Sequence, residues 1–427
     1  MSKRRVAITG LGVLSSCGQG KDIYWNAVLK GESHVRFMSN LPNQNFPSKL
    51  AGELLDFDPL TYIKSRKSLK LMSREIQMAV VVSYLAMQDA AIEIEKIDRG
   101  RFGISLGTSI INNELDEVGA GIRAAIDQDG KFDMRKYGQE GIRAMYPLWF
   151  LKYLPNMPAC HITIAHGLKG PSNTITTSSA AATQAIGEAY QIIRRGDSDL
   201  MLAGGTDSKV NAMGISRFHL LGLLSSESTN PEKAYRPFDR RRDGMVLGEG
   251  AGLMILEEMD HAKARGARIY GEIVGYGSSS DFNLEPNIYQ DYRGKKTAME
   301  RALRDASTSP DEIDFILANG SGIPKEDNQE AAAIHSVFEN SLSDLYVTGV
   351  KPITGHLVYG AGGVEVSAAV MSLAEGVVPH LANFESRDPD CDLPLVTGQP
   401  KSLKAKTALI NSFGFFGQNA SLVVRKS

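Results

Sequence analysis

The chain has 427 residues, enough for two ordinary domains or one large α/β unit, and 42% hydrophobic residues with 42 glycines is the composition of a globular protein with a large core. Lys and Arg number 47 against 49 Asp and Glu, a formal charge of -2, so the total gives no reason to expect nucleic acid or an anionic membrane as partner. Three cysteines, Cys17, Cys160 and Cys391, are odd in number and unrelated in spacing; they suit a reducing cytoplasm and offer neither a disulfide framework nor a metal site.

The N-terminus, MSKRRVAITGLGVLSS, carries positive charge ahead of an apolar run. Thr9, Gly10 and Gly12 interrupt that run, so it reads as a first strand and turn rather than a signal peptide. A helix is predicted from Ser73 to Ile94; its most apolar window, MAVVVSYLAM from Met78, is about ten residues long, short of the roughly 18 needed to span a bilayer, and a soluble protein is expected. RFGISLGTS reads as the next strand. Met134 to Lys169, with MYPLWFLKYLPNMPACHITIAHG, is rich in aromatics and prolines and is expected to pack over a site or a subunit interface, with a buried loop as the alternative. In TITTSSAAATQAIGEA, Thr174 to Ala189, a strand-like stretch becomes helix-like at Ser178-Ser179, and the helix runs from Ala181 to Arg195. A small nucleophile there would sit over a helix N-terminus.

SDLMLAGGTD and GLMILEE read as strands. GEGAG, Gly248 to Gly252, lacks the strand-before, helix-after setting of a dinucleotide fingerprint. The charged connector DHAKARGAR precedes a new strand at Ile269 to Tyr276, a helix at Thr297 to Ala306, and strands in DFILANGSG and KTALINSFGFFG. Apolar runs ending in glycine thus alternate with amphipathic stretches, which is the α/β class. Two similar halves are expected, 1–260 and 261–427.

Five stretches carry a family resemblance: GPSNTITTSSAAATQAIGEAYQIIRRGDSDLMLAGGTDS, RPFDRRRDGMVLGEGAGLMILEE, LANGSGIPKEDNQEAAAI, GVKPITGHLVYGAGG and NSFGFFGQNASLVVR. In order and spacing they resemble the signature blocks of the elongating β-ketoacyl-acyl-carrier-protein synthases, over residues 4 to 425. The resemblance implies the thiolase-like fold, a five-layered αβαβα sandwich of two pseudo-symmetric halves, usually as a two-fold dimer. It also implies an acyl carrier protein as partner, whose phosphopantetheine arm brings the substrate, and no resident cofactor or metal.

In that family a cysteine takes the growing chain as a thioester, and two histidines assist decarboxylation of a malonyl group whose carbanion attacks it. Ser179 stands at the cysteine position and Asn319, in Ala318-Asn319-Gly320-Ser321-Gly322-Ile323-Pro324, at that of the first histidine. A thiol with a pKa of about 8.5 becomes a thiolate near a helix N-terminus and a neighbouring base, whereas a hydroxyl needs a general base poised for the attack. An asparagine amide donates a hydrogen bond to an enolate oxygen but does not shuttle protons. Ser321 matches one of two family residues that contact the arm, and Ile323 removes the other.

His356, in Lys351-Pro352-Ile353-Thr354-Gly355-His356, matches the second catalytic histidine, with Lys351 as the supporting lysine and Glu330 as the glutamate that pairs near it. Phe415 aligns with the gating phenylalanine, and Phe416 replaces a glycine of that loop, fixing it or plugging the pocket. Lys67 and Lys70 resemble part of the basic patch that meets the carrier protein, although a solvated helix face explains them equally well, and Leu71 stands at one basic position of that patch. Arg236-Pro237-Phe238-Asp239 and Arg241-Arg242-Asp243 read as charge networks holding the fold. Three functions are open on this reading: a condensation-deficient partner subunit like a chain-length factor; a serine-dependent acyltransferase or hydrolase with Ser179 as nucleophile and His356 as base; and an acyl-binding or malonyl-decarboxylating homodimer.

Overall fold

A computed structural model describes residues 4–39, 46, 48–109, 115–281 and 291–427. In chain order the first half supplies β1 (Val6–Ser15), α1 (Arg74–Asp89), β2 (Phe102–Gly107), α2 (Met157–His166), β3 (Ser172–Ile175), α3 (Ala181–Arg195), β4 (Leu200–Ser208) and β5 (Leu247–Glu258). The same succession then recurs as β6 (Gly271–Ser280), α4 (Arg293–Ala306), β7 (Phe315–Leu317), α5 (Pro324–Phe338), β8 (Tyr346–Thr348), α6 (Ala361–Glu375), β9 (Thr407–Phe413) and β10 (Gln418–Arg425).

Pairing repeats as faithfully as order. The first five strands lie as β3-β2-β4-β5-β1 and the second five as β8-β7-β9-β10-β6. In each set the first three are mutually parallel and the last two run antiparallel to their neighbours. A short antiparallel ladder between β1 and β6, from Val6↔Ile273 to Ile8↔Gly271, joins the sets. α3 and α6 pack against each other and against strands of both sets. α1 and α2 cover the outer face of the first, and α4 and α5 that of the second. The result is the thiolase-like αβαβα sandwich.

The central helices show why small residues recur in their sequences. α6 is buried without a break from Ala361 to Leu373, so it is apolar all round rather than striped. A Cβ on Gly363 would lie 2.0 Å from the backbone oxygen of Gly252 in β5, and one on Gly107 would lie 2.4 Å from the backbone nitrogen of Ala182 in α3. Both central helices end on a left-handed glycine, Gly196 and Gly376, that closes the last turn.

The expected helix from Ser73 keeps Ser73 as its N-cap, accepting from the Ile76 amide, but stops at Asp89. The helix expected at Thr297 begins at Arg293. GEGAG lies inside the buried strand β5, so its glycines serve close packing and hold no phosphate. Residues 134–169 form several short helices instead of a buried loop, with Met134, Ile142, Phe150 and Ile164 exposed. β3 is an edge strand whose first two residues are exposed. Among the described residues no helix is long and apolar enough to cross a membrane.

Replacing Gly363 by Ala forces α6 away from β5, and overpacking of this kind costs about 1–3 kcal/mol. The expected outcome is a melting temperature lowered by several degrees with the circular dichroism spectrum retained; an unchanged melt would show that the helix yields freely.

Candidate active site

Each half carries a sharp turn between its third strand and its central helix. Ser178–Ala180 leads into α3, and Val358–Gly360 leads into α6 at the same step of the repeat. Both turns open on a non-glycine residue with left-handed backbone, Ser178 at φ 56° and Val358 at φ 41°. That conformation is strained, most of all for a β-branched valine. The first turn aims Ser179 over the N-terminus of α3, and the second follows His356.

Ser179 is 1% exposed and His356 0%, and Ser179 Oγ lies 3.4 Å from His356 Nε2. The other ring nitrogen, Nδ1, accepts a 3.0 Å hydrogen bond from the Val358 amide. A neutral imidazole has one donor and one acceptor nitrogen, so an accepting Nδ1 puts the proton on Nε2. His356 therefore presents an N–H, not a lone pair, to the serine. Burial, with the Lys351 ammonium in support, holds its pKa well below the usual imidazole value.

Asn319 is 3% exposed and sits in the loop after β7. Its Oδ1 accepts from the Phe413 amide at 3.2 Å and from Lys351 Nζ at 3.2 Å. With Oδ1 accepting, Nδ2 is the donor end of the amide. Phe413 ends β9, and the next two residues complete the enclosure. A Cβ on Gly414 would lie 3.3 Å from the Thr177 oxygen and 3.5 Å from Ser178 Cβ, and the Phe415 ring stands 5.4 Å from the His356 ring. Ser179, Asn319 and His356 thus gather around the end of one strand, with Phe415 as a lid that also meets Phe218 edge-on at 6.1 Å.

Glu330 holds the loop from beneath, accepting the Asn319 and Gly320 amides at 2.7 and 2.8 Å, while burial pushes its carboxyl up to about 7. The ion-pair partner of Lys351, however, is Glu365 on α6 rather than Glu330. Glu365 carries no signal in its local sequence; only the approach of α6 to the 351 turn brings it there. Ser321 is fully buried, donating to Asp327 at 2.9 Å and accepting the Ile323 amide, so its hydroxyl braces the loop where the resemblance implied contact with the arm.

Phe416 is 51% exposed and has negative φ, so it leaves the buried centre unplugged. It lines a small cleft of about 100 Å³ with Leu221, Leu223, Ile323 and Phe415. Lys67 and Lys70 stand exposed on and beside a one-turn helix capped by Ser65. Asp239 and Arg242 do hold the fold: Asp239 accepts the Glu385 and Ser386 amides, and Arg242 pairs with Asp388 at 2.5 Å.

Two family models cover the chain, "Beta-ketoacyl synthase, N-terminal domain" over residues 3–262 and "Beta-ketoacyl synthase, C-terminal domain" over 270–385. The chain belongs to the β-ketoacyl synthase family. It is 35% identical over 427 residues to the 3-oxoacyl-[acyl-carrier-protein] synthase 2 of Vibrio harveyi, covering 100% of this chain and 99% of that one. The counterpart in Coxiella burnetii is 35% identical over 426 residues, with the same coverage. Among solved structures the ishigamide ketosynthase/chain length factor superposes with a TM-score of 0.88 at 29% identity, over 100% of both chains. A type II polyketide synthase acyl-carrier protein in complex with its ketosynthase bound to the hexaketide (AntDE:AntF) superposes at 0.84 with 30% identity, again over 100% of both.

With His356 buried and neutral, the protein is expected to show ¹⁵N shifts of this ring with Nε2 protonated, unchanged from pH 8 down to below the usual imidazole value of about 6.5. Because the folded pKa is depressed, the stability linked to this group is present above that unfolded value and falls as the pH drops below it. Titration of the ring near pH 6.5 in the folded protein would contradict the assignment.

Proposed function

We propose that the chain is a non-condensing β-ketoacyl synthase that acts as the partner subunit of an active synthase, in fatty acid or polyketide assembly on an acyl carrier protein. The observation that carries this reading is the contact between Ser179 and His356, in which a hydroxyl that needs a base faces an imidazole N–H. A cysteine would suit the same surroundings, since the N-terminus of α3 favours a thiolate and Nε2–H can donate to it. A serine hydroxyl stays protonated there and attacks slowly. The same geometry weighs against the serine-ester reading, because the base it requires is turned away.

The likeness to a ketosynthase/chain length factor supports a partner role, and the likeness to a ketosynthase held with its carrier protein supports carrier binding. The unpaired edge of β3, with the exposed Met134, Phe150 and Ile164 elsewhere on the surface, supports pairing with a second subunit, either its own copy or a homologue. A second reading, malonyl-thioester decarboxylation, is favoured by the two donors at the site, Asn319 Nδ2 and His356 Nε2–H. There the bond to the malonyl carboxylate breaks and CO2 leaves. The electron pair enters a thioester enolate held by the donors, and a solvent proton completes an acetyl thioester.

Intact mass after incubation with acyl carrier protein thioesters is expected to show no acyl adduct on the wild type and an adduct on Ser179→Cys, with elongation by that variant still negligible. An adduct of acyl mass on Ser179, absent in Ser179→Ala, overturns the reading. Release of CO2 from malonyl carrier protein that is lost in both Asn319→Ala and His356→Ala selects the decarboxylase. Light scattering is expected to give a dimer, or co-purification a complex with an intact synthase; a stable monomer at micromolar concentration contradicts the partner role.

A further inference from the structure

The turn that follows His356 has a buried ionic anchor outside the catalytic cluster. Asp207, at the end of β4, is fully buried, and Lys209 beside it is 3% exposed. Asp207 Oδ2 accepts the Tyr359 amide at 3.3 Å, while its Oδ1 accepts the Ser208 amide at 2.9 Å and Lys209 Nζ at 2.8 Å. Lys209 Nζ also lies 3.3 Å from Glu75 Oε1 on α1 and 5.5 Å from the centre of the Tyr359 ring. One carboxylate thereby ties β4 to the amide immediately after the strained Val358. A Cβ on Gly360 would lie 3.2 Å from the Asp207 nitrogen, so the turn packs closely on the backbone of Asp207.

Val358 at φ 41° is strained, the more so for a β-branched residue, and persists only where its surroundings over-determine it. The backbone amide of the same residue donates to His356 Nδ1 and so decides which ring nitrogen keeps the proton. We infer that Asp207, paired with Lys209, is the positioning residue of His356: by holding the Tyr359 amide it keeps the turn left-handed at Val358 and the imidazole proton on Nε2. Asp207 touches no reacting atom. The inference rests on reading His356 as a hydrogen-bond donor to the site, and it adds the group that enforces this. A carboxylate without Lys209 would be an unpaired buried charge, which explains why the two come together.

The test uses the full chain with ¹⁵N-labelled histidine, the His356 signals being assigned by their loss in His356→Gln. The wild-type spectrum speaks to the functional reading: a proton on Nδ1 would sink that reading and the hydrogen bond the inference starts from. The variants speak to Asp207 alone. Asp207→Ala/Lys209→Met removes the acceptor without stranding the ammonium, and the well-separated Nδ1 and Nε2 shifts are expected to collapse toward the average of two exchanging tautomers. Adding Val358→Gly, which adopts positive φ without strain, is expected to restore the separation. A folded double variant with wild-type shifts overturns the inference, as does a collapse that Val358→Gly leaves in place. If the double variant does not fold, the triple variant decides: a folded protein with wild-type shifts supports the clamp, and an unfolded one assigns Asp207 to core stability and overturns it.

Discussion

The hydrogen bond from the Val358 amide to His356 Nδ1 occupies one of only two nitrogens on the ring, and every property of the site follows from which one is left. With Nδ1 accepting, the remaining nitrogen is a donor, and the buried ring stays neutral because an imidazolium there would lie near the Lys351 ammonium in a dry interior. A neutral donor suits a thiolate, a thioester carbonyl or an enolate. It does nothing for a serine hydroxyl. The group at residue 179 therefore decides what this scaffold can do: an oxygen there meets a donor where it needs a base.

Two halves of the chain clasp each other around that bond. The end of β9, from the second half, packs on the turn that carries Ser179, and the end of β4, from the first half, packs on the turn that follows His356. Neither half holds the site by itself. The close approach of the central helices to the strands requires the glycines at 107, 252 and 363, where any side chain would meet backbone rather than a movable neighbour. Packing at this density leaves the turns no room to relax, so strain at Ser178 and Val358 is retained.

Beneath the site lies a layer of buried charge. Glu330 and Asp327 accept backbone amides of the 319–322 loop, Lys351 joins Glu365 to Asn319, and Ser412 links Glu365 to Thr183 at 3.3 and 2.6 Å. Such networks are worth keeping only when fully connected, since one missing partner leaves a buried charge exposed to no compensation. This gives a reason for the 319–322 loop to keep its shape whatever side chains it presents to the cavity. The frame holds the backbone, and the side chains facing the cavity are free to change.

Much of the fold was legible in the sequence because it is written locally. Apolar runs ending in glycine gave β1, β2, β4, β5, β7 and β9; alanine and isoleucine at helical spacing gave α3; and the motif order placed Ser179, Asn319 and His356 in one family frame. The helices α2, α5 and α6 were not read: α6 is apolar on every side, so it has no stripe to betray its period. The two-fold order of the strands, the pairing of Lys351 with Glu365 instead of Glu330, the turning of Ser321 into its own loop and the outward placement of Phe416 were decided by tertiary structure alone. Sequence determined which chemical groups are present, because that is a matter of identity. The proton on His356, on which their use depends, is set by the Val358 amide two residues on, while the Asp207 carboxylate that holds the next amide lies far away in the chain and meets it only when the two halves close on each other.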